Sequence, residues 1–197
     1  MAEWTGIVGT VVGTFLGFSL TYLKEHFAKS KLRKDTASLL FHEIAHTAMF
    51  FVTIAPVINQ TTKPVLRSDL LPFYIPKPMF SGSIAKDLSA LDDDSRSHVI
   101  HFLMTAVDFH ERFKAAAAPT AEPLPKPQLD GLRFMLKMVS GGACVTLERL
   151  CSGSLQEKGP DKTKPAWFIA LKMAAEGRSD IRTNDLRAGP FKPLRIF

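Results

Sequence analysis

The sequence predicts an all-α protein, with one N-terminal transmembrane helix continuing into a cytoplasmic helical bundle. Three observations carry that expectation. Residues 4–23 contain no charged side chain, and about 20 apolar residues is the length a helix needs to cross a bilayer core. After them, apolar residues recur at helical spacing through three further long stretches. Nowhere does a run alternate apolar and polar with the period of a strand.

The span comes first. Trp4 and Tyr22 stand at its ends, where aromatic rings favour the membrane interface. Glu3 precedes it, whereas Lys24, Lys29, Lys31, Arg33 and Lys34 follow it. A cleaved signal peptide carries its positive charge before the apolar core and a small-residue cleavage site after it, and neither is found here. The stretch therefore reads as an uncleaved anchor, and the positive-inside rule puts the N-terminus outside and the rest of the chain in the cytoplasm. Gly9, Gly13 and Gly17 recur every fourth residue. On a helix they form a groove of small residues, through which two backbones can approach and associate in lipid. A homodimer or a pairing with another membrane protein is the expected use.

From residue 24 to Pro56 neither Gly nor Pro intervenes, and Leu32, Leu39, Leu40, Ile44, Phe51 and Ile54 keep helical spacing. The membrane helix is thus expected to continue as one rod, roughly 75–80 Å from residue 4 to residue 55. Residues 38–57 are apolar enough to suggest a second span, but His42, Glu43 and His46 at their centre make insertion costly, so a packed core helix is expected. A loop over 64–78 follows, with Pro64, Pro72, Pro76 and Pro78, then a short helix over 80–91. Asp92 to Asp94 offer caps for an amphipathic helix over 95–117, whose inner face is Val99, Leu103, Ala106, Phe109 and Phe113. A proline-rich linker near 118–127 precedes a helix over 128–155. That helix carries Leu132, Met135, Met138, Val145, Leu147 and Leu150, and is weakened at Gly141-Gly142. After a polar loop, Pro165 opens a last helix to about Glu176. The helical domain so drawn covers 24–176, and 177–197 reads as a loose basic tail.

Bulk properties fit this layout. The chain has 197 residues and a formal net charge of +6, with a mean hydropathy of +0.05. About 170 residues outside the span suffice for one modest core. Much of the positive excess lies beside the span and in the last 25 residues, which points to the lipid surface, and no nucleic-acid partner is expected. Cys144 and Cys151, seven apart on one helix, read as a buried face in a reducing compartment.

The order of these parts resembles a loose group of uncharacterised single-span bacterial inner-membrane proteins. A glycine-bearing span leads to a basic run and the helix from Leu32 to His46. The segment Ile75-Pro76-Lys77-Pro78-Met79-Phe80 and the helix from Ser95 to Phe113 follow. The resemblance covers about the first 115 residues. It implies the architecture and a cell inner-membrane location, and no activity.

One motif points elsewhere. His42-Glu43-Ile44-Ala45-His46 fits H-E-x-x-H. One helical turn apart, two imidazoles reach a single zinc, and the glutamate polarises the metal-bound water as general base. Leu129-Asp130-Gly131 is similar to a segment of intramembrane zinc proteases, and that resemblance makes Asp130 a third ligand and zinc the cofactor. Those proteases hold the motif inside several spans, whereas this chain offers one. Otherwise His42 and His46 pack along the inner face with Leu39 and Met49, and no cofactor is needed. His98, His101 and His110 read as flanking residues of an amphipathic helix. Ser140-Gly141-Gly142-Ala143 lacks the lysine of a phosphate loop. The expected function is therefore binding, as a membrane-anchored helical interaction or scaffold protein. A zinc-dependent membrane peptidase is the alternative, and a basic module that grips lipid head groups is a third reading.

Overall fold

A computed structural model of the chain describes residues 2–73, 88–151 and 166–181; for 2–21 the description is of the helical backbone. The described residues form four α-helices and no strand: α1 (Ala2–Ile58), α2 (Asp93–Ala116), α3 (Lys126–Leu150) and α4 (Ala166–Ala175). Helix α1 runs unbroken for 57 residues, about 85 Å at the rise of an α-helix. The single continuous rod that the sequence predicts is what the fold contains.

The bundle is built on the second half of α1. Phe41, Ile44, Ala48, Phe51, Ile54 and Ile58 are all buried at helical spacing. The Phe51 ring meets Phe102 and Phe109 of α2 edge-on, and Phe41 meets Trp167 of α4. Such aromatic edges add specificity to the large apolar area that these rings remove from water. Within 22–58, α1 is long and apolar enough to cross a membrane, yet half of its most apolar window is buried in the bundle. Its apolar face is thus occupied by protein.

Cross-chain contacts fix the helix directions. Arg33 pairs with Asp92 at one end of the bundle. At the other end Arg133 donates from Nε to the carbonyl of Ile58 (2.9 Å) and from Nη2 to that of Gln60 (2.6 Å). Helix α2 therefore runs parallel to α1 and α3 antiparallel to both. Helix α4 runs parallel to α1, from Trp167 beside Phe41 to the Arg178 carbonyl, which accepts from Asn59 Nδ2 at 3.1 Å. A parallel α1–α2 pair needs a connection that returns the length of the bundle, and residues 59–92 supply it. They include short 3₁₀ turns at Arg67–Leu70 and Leu88–Ala90. The α2–α3 connection joins antiparallel neighbours and is short, and it lies against the earlier loop through a Leu66–Pro123 bridge.

Helix boundaries follow local chemistry. Asp92 caps α2 by accepting the Ser95 N–H at 2.8 Å, and Asp93 and Asp94 favour the positive end of the helix dipole. Pro127 sits in the first turn of α3, so this helix starts two residues earlier than its sequence pattern predicts. The glycine pair at 141–142 does not interrupt α3. Gly177, at φ 77°, ends α4 with the 6→1 and 5→2 bonds of a Schellman motif, from Arg178 to Met173 and from Gly177 to Ala174. The basic tail is therefore not loose from its start: Arg178 is hydrogen-bonded to Asn59 and Ile181 is buried. Its residues 182–197 lie outside the described residues, as do 80–87 of the short predicted helix, 74–78 of the proline loop and 152–165.

Candidate functional site

The H-E-x-x-H motif lies on α1, and its three chemical side chains are on the exposed side. Ile44 and Ala45, between them, take the buried positions. His42 and His46 do not pack on an inner face, and Leu39 beside them is half exposed. The His46 ring touches Phe50 and the His42 ring touches Phe41. Partial burial of the Glu43 carboxyl raises its pKa above the usual carboxylate range.

The structure does not bring Asp130 to this pair. It lies in the first turns of α3, ion-paired to Arg133 at 3.5 Å, and Arg133 reaches the end of α1 at Ile58. His42 is sixteen residues back along α1, about 24 Å away along the axis. Among the described residues no three His, Cys, Asp or Glu side chains converge as a metal site. The other histidines are likewise dispersed: His98 pairs with Asp94 (3.4 Å), and His101 is exposed.

The basic run holds together as a feature. Lys24, Lys29, Lys31, Arg33 and Lys34 are all exposed on the part of α1 that stands off the bundle. Arg33 alone of these is tied down, to the Asp92 cap of α2. Asp92 is held below the usual carboxylate range, first by the Ser95 N–H and further by the Ser95 hydroxyl and the Arg33 charge. Next to it Asp94 accepts from Arg149 of α3 at 3.2 Å. The acidic first turn of α2 thus joins α1 to α3 at the end of the bundle nearer the basic run. In the sequence Asp92 to Asp94 read only as caps, because the partners are 59 and 55 residues distant along the chain. The glycine row Gly9, Gly13 and Gly17 falls where only the helical backbone is described.

A cavity of about 340 Å³ lies between the end of α2 and the start of α3, lined by Arg112, Ala115, Gln128 and Gly131 among others. Its polar groups are engaged internally, Arg112 with Asp108 and Gln128 with Arg67. Both cysteines are buried and neither forms a disulfide; burial pushes the Cys144 thiol up to about 12, so it is not placed as a nucleophile.

Helix α3 departs from the sequence reading in a way that bears on function. Met138 and Val145 belong to the apolar pattern, yet both are exposed (45% and 43%), and Phe134 is 62% exposed. The core is served by Leu132, Leu147 and Leu150 of that pattern, together with Leu136, Val139 and Ala143. Comparison with known proteins adds no family: no family model, no curated protein and no solved structure matches the chain.

Proposed function

We propose that this chain is a single-span protein of a bacterial inner membrane that acts by binding, as a scaffold displayed on a rigid stalk. Residues 4–23 are the anchor, the N-terminus faces out and the bundle faces the cytoplasm. The observation that carries this reading is the unbroken helix α1, whose far end supplies the core of the bundle. A charge-free segment at one end of a rod and a folded domain at the other suit a tether, and the exposed lysines between them suit an anionic leaflet. Gly9, Gly13 and Gly17 would pair two spans within one membrane.

The test uses the full-length protein in detergent micelles. Gly13→Leu is expected to weaken self-association of the span by about tenfold or more, since small-xxx-small packing tolerates no bulk. Glu43→Gln is expected to leave assembly and metal content unchanged. About one zinc per chain by elemental mass spectrometry, lost in His46→Ala, would overturn the scaffold reading in favour of the peptidase.

A further inference from the structure

The basic run of α1 divides into parts with different partners. Arg33 is paired with Asp92, the cap of α2, and belongs to the bundle. Among the described residues Lys24, Lys29 and Lys31 have no such ion pair, and each is exposed. Two aromatic rings stand among them, Tyr22 and Phe27, each with 69% of its surface open. Neither ring contributes to the core, so folding of the bundle does not account for them. Glu25 is the one carboxylate between residues 22 and 34.

Height and azimuth along the rod point to what these side chains meet. At the rise of an α-helix, Lys24, Phe27, Lys29 and Lys31 stand about 1.5, 6, 9 and 12 Å beyond residue 23, where the charge-free segment ends. The headgroup layer on each side of a bilayer core is about 5–7 Å thick. Tyr22 and Phe27 therefore bracket that layer, and the lysine arms can reach back into it. Tyr22 and Lys29 share one side of the rod, within about 20° of each other. Lys24, Phe27 and Lys31 lie on the opposite side, between about 140° and 200° round from Tyr22. Rings and cations on opposite sides leave no single face for a protein partner to cover, whereas a leaflet surrounds the whole circumference. Lys34 stands about 16 Å out, more than a Debye length of about 8 Å above the layer.

We propose that Tyr22, Lys24, Phe27, Lys29 and Lys31 form a collar that retains anionic phospholipids around the stalk, and that Arg33 and Lys34 take no part in it. The collar rests on the reading of residues 4–23 as the anchor. It narrows the lipid contact from the whole basic run to three lysines and two rings. Lipid phosphate oxygens accept from the ammonium groups, and the rings lie between headgroups and acyl chains.

Lipid retention by the full-length protein tests it. The protein is solubilised in detergent with equimolar phosphatidylglycerol and phosphatidylcholine, and its bound lipids are counted by native mass spectrometry. Wild type is expected to retain the anionic lipid about tenfold over the neutral one. Lys24→Gln/Lys29→Gln/Lys31→Gln should bring that ratio to about one, while Arg33→Gln leaves it within about twofold and lowers the melting temperature of the bundle. A preference that survives the triple variant, or one that Arg33→Gln abolishes as fully, would overturn the proposal. So would an absent preference in a wild-type protein that binds soluble polyglutamate through the same lysines, which would assign them to an acidic protein. Flotation with purely neutral vesicles depends on the anchor and is expected of wild type and triple variant alike. A wild-type chain that fails to float overturns the anchor and the collar together, whereas a floating triple variant that still prefers phosphatidylglycerol overturns the collar alone.

Discussion

Two stretches of α1 share one run of backbone hydrogen bonds and live under different constraints. Over 36–58 the helix is core: Phe51 is fully buried, and Phe41 and Ile58 likewise. Over 22–35 it is almost wholly exposed, and Phe27 and Tyr22 each keep 69% of their surface open. Tertiary packing fixes the first stretch, as it does most helices in folded domains. The second has only intrinsic preference and continuity with its neighbours, and its Ala, Leu, Glu, Lys and Arg are strong helix formers. The contrast teaches that the stalk's helicity depends on the helix at both its ends being folded already.

That comparison can be broken most sharply by truncating one ring in each stretch. Phe51→Ala should cost about 3–5 kcal/mol of bundle stability, from lost burial and the cavity left between α1 and α2. Phe27→Ala should change it by less than about 0.5 kcal/mol. Urea unfolding of the full chain in detergent measures both. An equal loss for Phe27→Ala would show the stalk to be packed, and the distinction would go.

The next effect lies where the core stretch ends. No basic residue stands in the last turn of α1, and Arg133 of α3 satisfies the carbonyls of Ile58 and Gln60 in its place. Arg133→Ala leaves those acceptors without their charged donor and should cost about 1–3 kcal/mol. Hydrogen exchange should then quicken first around residues 55–60. Uniform quickening along the bundle would argue that Arg133 is a general packing residue and not a cap.

The smallest effect sharpens the boundary between stalk and bundle. Asp92→Ala removes the α2 cap and the partner of Arg33, at about 1 kcal/mol near neutral pH. Asp92 has its carboxyl pKa lowered in the folded state. Its stabilisation is therefore complete above the unfolded carboxylate value of about 4 and is lost as pH falls through the lower folded value. The gap between wild type and variant in urea should close on going from pH 7 to below the folded value. A gap that stays open at low pH would mean the carboxylate charge is irrelevant there.

Much of this architecture was legible residue by residue. Val99, Leu103, Ala106, Phe109 and Phe113 mark one face of α2, and all five are buried. Asp92 signals the start of that helix through chemistry that needs only three residues. Helix α3 was harder because apolar residues lie on two of its faces: periodicity finds a helix there but does not say which stripe meets the core. Met138 and Val145 share the apolar pattern with Leu132 and Leu147, yet the first two lie outward and the last two in the core. The place of the third ligand expected beside the histidine motif was not legible for a related reason. Spacing within α1 sets two side chains on one face, but the position of Asp130 depends on α3 running antiparallel, which no local signal encodes.

No glycine stands in α1 between Phe18 and Ile58, and its one proline, Pro56, enters only in the final turn. The rod thus has no swivel. A twist applied at its N-terminal end would be carried by the backbone ladder to Phe41 and Phe51, whose rings are locked against Trp167 and Phe102. A bundle mounted this way keeps a fixed azimuth about its stalk, so motion passing along α1 arrives as rotation or axial thrust.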